Sequence, residues 1–163
     1  MISLRVSLIS LSLLLVLGTL SVPAVSAATL VIRDDAGDVV QRLSDEELAS
    51  LPQSTFETTT PWTTGPSAFQ GPTLASVLGD IDPAPVGITL RALNDYEVAF
   101  PVSAMTEHSP IVAFLRNGER MTVREKGPYW VMFPFDSNPE LQQERFYSLS
   151  VWQLKEIVIQ RQQ

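Results

Sequence analysis

Ile111-Val112-Ala113-Phe114-Leu115-Arg116, then Asn117-Gly118, then Glu119-Arg120-Met121-Thr122-Val123-Arg124, is the stretch that decides the class of fold. An Asn-Gly pair between two strand-like runs is the strongest short hairpin signal, because both central residues need positive φ. Upstream, Ile88–Ala92 alternates, Asn94-Asp95 turns, and Tyr96–Phe100 alternates again. Downstream, Tyr129–Phe133 and Leu154–Ile159 supply two further strands. Near the start, Thr29–Arg33, the turn Asp35–Asp38 and Val39–Leu43 read as an opening hairpin, and Thr55–Thr60 is a β-branched strand broken by Pro61–Pro66. Two short helices interrupt this pattern. Ser44 with Glu47 forms a capping box for a helix over Asp45–Leu51 that stops at Pro52. Leu74, Val77 and Leu78 recur at helical spacing between a capping Thr73 and a closing Gly79. The class is α+β, β-rich, with mixed sheets and short helices.

The first 27 of the 163 residues read as an export signal: Arg5 before an apolar run over Leu8–Leu20, then small residues ending at Ala27. The run is short for a membrane span, which needs about 20 apolar residues. Cleavage after Ala27 leaves residues 28–163 as one domain, released to the periplasm without direct membrane insertion. Losing Arg5 takes the formal charge from −7 to −8. Such an acidic chain is a poor partner for phosphate backbones, so nucleic acid is excluded as a partner. With no cysteine and a single histidine, the chain has no thiolate for a metal or a substrate and little from which to build a zinc site or a Ser-His triad.

Few groups suggest catalysis. His108 lies in the turn-like Met105–Pro110 segment beside Glu107, where a lone histidine is by default solvated or capping. Asp34, Asp35 and Asp38 lack the glutamate that a calcium loop requires. More informative are aromatics gathered in loops beside polar groups: Trp62 after Thr58-Thr59-Thr60-Pro61, Tyr129-Trp130 before Phe133-Pro134-Phe135-Asp136, and Arg145-Phe146-Tyr147 leading to Ser150-Val151-Trp152. A flat, polar-edged heterocycle needs such a set, since stacking holds its face and hydrogen bonds read its rim. The same aromatics could instead simply fill a core.

In order, Thr55–Trp62, Phe69-Gln70-Gly71-Pro72-Thr73-Leu74 with Val77-Leu78, Asn94-Asp95-Tyr96, Ile111-Val112-Ala113 with Asn117-Gly118, Gly127-Pro128-Tyr129-Trp130 with Phe133-Pro134, and Tyr147–Leu154 resemble the pterin-cofactor domain of the sulfite oxidase family. The resemblance implies a molybdopterin-domain-like fold over residues 50–160. Family enzymes hold molybdenum through the pterin dithiolene and one cysteine thiolate. That cysteine falls where this chain reads Thr58-Thr59-Thr60, and threonine hydroxyls are poor ligands for a soft metal. No molybdenum and no redox catalysis are therefore expected. The sequence is similar, more closely, to short exported cysteine-less proteins of this fold that bind a metal-free reduced pterin, such as a neopterin or monapterin. Those regulators signal to the periplasmic domain of an inner-membrane partner, typically an enzyme of cyclic di-GMP turnover in biofilm regulation. The alternative is a molybdopterin-dependent oxidoreductase or an accessory subunit of one.

A pterin ligand sets needs that the sequence can be matched against. Its 2-amino and N3–H edge suits a carboxylate, with Asp136 the first candidate and Asp95 the second. Its 4-oxo group would take a donor from Arg145 or from a backbone amide near Trp130. Trp62, Tyr129 and Trp152 compete to stack on the ring, and Thr60, Tyr147 or Ser150 would meet the hydroxylated tail.

Overall fold

The computed structural model describes residues 28–79 and 87–160, and the expected export signal lies outside them. In chain order the elements are β1 (Thr29–Asp34), β2 (Val39–Ser44), α1 (Asp45–Ser50), β3 (Gln53–Thr58), β4 (Ser67–Pro72), α2 (Leu74–Leu78), β5 (Gly87–Ala92), β6 (Glu97–Phe100), α3 (Val102–His108), β7 (Ile111–Ala113), β8 (Leu115–Arg116), β9 (Glu119–Arg120), β10 (Trp130–Met132), α4 (Glu144–Leu149) and β11 (Leu154–Gln160). The strands form a five-stranded sheet in the order β2-β1-β11-β5-β6, a four-stranded sheet β3-β4-β8-β9 and a two-stranded sheet β10-β7. β1 and β11 run parallel, while the other pairs are antiparallel. Strands rich in these sheets with few short helices make the fold α+β, as the sequence pattern predicts.

Period-two alternation sets the five-stranded sheet. Leu30 and Ile32, Ile88 and Leu90, and Ile157 and Ile159 face one buried side. On the other side Glu156 sits beneath two guanidinium groups: Arg33 Nε reaches it at 2.6 Å, and Arg91 pairs with its second carboxylate oxygen. A glutamate only 8% exposed is tolerable because both its carboxylate oxygens are paired.

The Asn117-Gly118 turn forms as expected, with φ of 53° and 82°. Its arms are much shorter than the sequence suggests. Ile111–Ala113 pairs with β10 in register Trp130↔Ala113, whereas Leu115 and Arg116 pair with β4 and β9. Phe114 marks the switch: its side chain is buried and its amide donates to the Gln70 carbonyl at 3.0 Å. The second arm ends because Thr122 and Glu125 form a capping box that starts a 3-10 turn over Val123–Glu125. The Met105–Pro110 segment is likewise not a turn. It lies mostly within α3, which starts after Pro101 and stops where Ser109 turns left-handed.

β4 crosses β7 at very close range. A Cβ placed on Gly71 would lie 2.0 Å from the Val112 carbonyl oxygen, so only glycine fits between the two strands. Both are tied together further along by the Leu74 amide, which donates to the Pro110 carbonyl at 2.8 Å. Gly71→Ala should therefore lower unfolding free energy by about 1–3 kcal/mol, the usual cost of overpacking. Urea denaturation of the two proteins measures it, and an unchanged midpoint would show that the strands can part freely.

Candidate functional site

Along α4, side chains three and four residues apart share a face. Glu144, Tyr147 and Ser148 thus point one way, and Arg145, Phe146 and Leu149 another. The first group, with Trp62, Trp152 and the β5–β6 turn residues Asn94 and Tyr96, walls a cleft of about 280 Å³. Small ligands of ring size occupy clefts near the lower end of the 300–1,000 Å³ range.

Trp62 is the centre of the aromatic wall. Its ring centroid lies 5.6 Å from Trp152, 5.7 Å from Tyr147 and 5.8 Å from Trp130, at steep angles in each case. These are the tilted and edge-to-face geometries that aromatic rings prefer, and Trp62, Tyr147 and Trp152 remain only half-buried in them. The loop carrying Trp62 is held by hydroxyls: Thr60 Oγ1 accepts from the Trp62 amide at 3.1 Å and lies 2.9 Å from Thr63 Oγ1. Lys126 Nζ rests 4.3 Å from the Trp152 ring centre, fixing that indole by a cation–π contact. Opposite, the Tyr96 hydroxyl donates to the Ser148 carbonyl at 3.2 Å and braces the turn against α4.

The residues anticipated from sequence divide into three groups. Trp62, Tyr147, Ser150 and Trp152 come together around the cleft. The Ser150 hydroxyl, however, donates to the Phe146 carbonyl at 3.0 Å and caps the helix end. Thr60 and Asp136 line a shallower groove of about 230 Å³ on the other side of Tyr147. There Asp136 is a loop anchor: its two carboxylate oxygens accept from the Thr59 amide at 2.7 Å and the Thr59 hydroxyl at 2.6 Å.

Four residues do not reach the cleft. Tyr129 and Trp130 are fully buried, and they belong to the core because their polar atoms are satisfied there. The Tyr129 hydroxyl donates to Asp45 at 2.7 Å, and the Trp130 indole N–H donates to the Ser150 carbonyl at 3.1 Å. Asp95 has a positive φ of 62°, which turns its carboxylate outward to Lys155 at 2.5 Å. Arg145 lies on the opposite face of α4, its guanidinium over the Phe146 ring at 4.5 Å.

Sequence reasoning missed Glu144, Ser148 and the cleft role of Asn94 and Tyr96. Glu144 is exposed, and among the described residues no cation or donor engages its carboxylate. The spacing Glu144, Tyr147, Ser148 and Val151 would have revealed this face had the segment been read as a helix.

The molybdenum cofactor of the sulfite oxidase family does not fit the donors at the end of β3. Thr58 Oγ1 accepts from the Asp136 amide at 3.1 Å, Thr59 Oγ1 is bound to the Asp136 carboxylate, and Thr60 Oγ1 holds the Trp62 turn. Each hydroxyl is committed to the local backbone or loop, and the chain offers no thiolate in their place. Among the described residues no three His, Asp or Glu side chains gather at a point. Nor is any helix among them long and apolar enough to cross a membrane.

No protein-family model and no curated protein matches the sequence. A solved structure that matches is the sulfane dehydrogenase SoxCD from Paracoccus pantotrophus, with a TM-score of 0.62 at 17% identity. The match covers 83% of this chain and 38% of that one, so the chain spans well under half the length of its neighbour. The likeness is one of fold, and that fold is sulfite oxidase-like.

Burial first, and then the hydrogen bond to Asp45, push the Tyr129 phenol far above the usual tyrosine range. In the unfolded chain it ionises near pH 10. The stabilisation from keeping it neutral is thus complete below about pH 10 and is lost as the pH rises beyond it. Tyr129→Phe should cost about 0.5–1.5 kcal/mol at neutral pH. It should also flatten the alkaline fall in stability, which denaturant titrations above pH 10 measure. Equal alkaline slopes for the two proteins would show that the phenol is not held neutral by the fold.

Proposed function

We propose that the protein is a periplasmic pterin-binding module rather than a catalyst. It would hold a metal-free reduced pterin, of the neopterin or monapterin kind, and report its presence to the periplasmic domain of an inner-membrane signalling protein. An enzyme that makes or degrades cyclic di-GMP, and through it biofilm formation, is the expected listener. The observation that carries this reading is the aromatic cleft with a free carboxylate on its rim, in a fold whose cysteine position holds threonines.

The chemistry of each part favours such a ligand. Trp62, Tyr147 and Trp152 supply faces and edges for a flat bicyclic ring, and Asn94 and Ser148 supply polar rim groups for its substituents. Glu144 replaces Asp136 and Asp95 as the acceptor for the 2-amino and N3–H edge, because the other two carboxylates are already engaged. A carboxylate facing two parallel N–H donors makes a charge-assisted bidentate pair, about twice as strong as a neutral one. The fold likeness to a dehydrogenase favours a second reading, an oxidoreductase or an accessory subunit of one. The committed threonine hydroxyls weigh against it.

Titration with fluorescent neopterin tests the assignment. Glu144→Gln should weaken binding about 10- to 100-fold, since it removes the charged acceptor. Asp136→Ala should leave affinity within about twofold while lowering unfolding free energy by about 0.5–1.5 kcal/mol through the freed Thr59 loop, whose bonds to Asp136 are exposed to solvent. Unchanged affinity in Glu144→Gln together with lost affinity in Asp136→Ala would move the site to the neighbouring groove. No saturable binding by the unaltered protein of either neopterin or its tetrahydro form, the latter followed by quenching of tryptophan fluorescence, would refute the pterin reading itself.

A further inference from the structure

Two residues that the cleft leaves unused, His108 and Arg145, meet in a second groove on the far face of α4. It holds about 330 Å³ between α3, α4 and β6. Phe146 forms its floor. The Arg145 guanidinium lies over that ring at 4.5 Å, and the His108 imidazole meets it edge-on, with ring centres 5.0 Å apart. Val98, Ala99, Pro101, Ala104 and Leu149 give it an apolar wall, with the small polar residues Ser103 and Ser148 beside it.

Of the nine described arginines and lysines, Arg33, Arg91, Arg116, Arg120 and Lys155 have carboxylate partners, while Arg42, Arg124, Lys126 and Arg145 do not, and of these four only Arg145 lines this groove. Among the described residues no carboxylate lies within ion-pair range of Arg145, although it lines a concave site. Glu107, which shares the groove, is directed to His108, 3.8 Å from Nε2. A guanidinium held flat on an aromatic ring keeps its outer N–H fork free for a planar anion and loses little entropy in binding one. The apolar wall beside it would cover a hydrocarbon body of similar width.

We propose that this groove is a second binding site, for a small organic carboxylate with an apolar body, whose anionic end pairs with Arg145 while its ring or branched chain lies against the Ala99–Ala104 wall. The assignment does not depend on the pterin reading, since none of its anchoring side chains faces the first cleft.

Amide-resolved NMR of the protein titrated with benzoate, and with neutral benzamide as its uncharged analogue, tests the site. Benzoate should give saturable shifts for amides of Val98–His108 and Arg145–Leu149 at millimolar concentration. Benzamide binding and benzoate binding to Arg145→Gln should each be at least about tenfold weaker, the loss of one charge-assisted pair. Neopterin affinity should be the same in Arg145→Gln as in the unaltered protein, which separates the fate of this site from that of the cleft. Absence of saturable benzoate shifts in these segments would overturn the proposal, as would equal binding by benzamide or by a folded Arg145→Gln.

Discussion

Three hydrogen bonds between Tyr129–Val131 and Ser150–Leu154 hold the walls of the candidate cleft in place. The Trp130 indole N–H donates to Ser150, the Val131 amide to Val151, and the Leu154 amide to the Tyr129 carbonyl, at 2.9–3.1 Å. All three lie in the core, where an unmade bond costs about 1–3 kcal/mol. The seam joins the small β10-β7 sheet to the start of β11 and so to the five-stranded sheet. It also fixes the end of α4 and the indole of Trp152, the two features that define the cleft. Tyr129 and Trp130 thus shape the cleft without lining it.

From this seam the two faces of α4 acquire different surroundings. Glu144 and Tyr147 look towards Trp62 and the β5–β6 turn, Arg145, Phe146 and Leu149 towards α3, and Ser148 borders both hollows. A six-residue helix therefore divides two concave surfaces, one with a free carboxylate and one with a free guanidinium. On the far side of Tyr147, three successive threonines do structural duty. Their hydroxyls anchor Asp136 and the Trp62 loop, a role that hard alcohol oxygens suit and that a soft-metal thiolate would not fill.

Most of the fold was legible where the sequence carries a local mechanism. The capping box at Ser44 and Glu47, the Thr73 cap with Gly79, and the Asn117-Gly118 turn are each set by a few adjacent atoms, and each forms as expected. The strand run Ile111–Arg116 was not fully legible. Its division between two sheets is decided at Phe114 by the distant Gln70 carbonyl and by burial, neither of which leaves a local mark. α3 and α4 were hidden for a related reason: Val102–His108 has no side-chain cap, and the aromatic residues of Glu144–Leu149 are weak helix formers stabilised by packing. The aromatic site was half legible. Residue type pointed to Trp62, Tyr147 and Trp152, but it could not tell them from Tyr129 and Trp130, which differ only in having polar partners inside the core. The carboxylates were harder still, since whether Asp95, Asp136 or Glu144 is free depends on contacts with Lys155 and Thr59 far along the chain.

The central claim is that a pterin without a metal is what the aromatic cleft holds. Native mass spectrometry of the protein purified from its own host, with elemental analysis of the same sample, tests it most directly. The account predicts an added mass equal to one reduced or oxidised pterin per chain and no molybdenum. Stoichiometric molybdenum, carried with a dithiolene-bearing pterin, would contradict it.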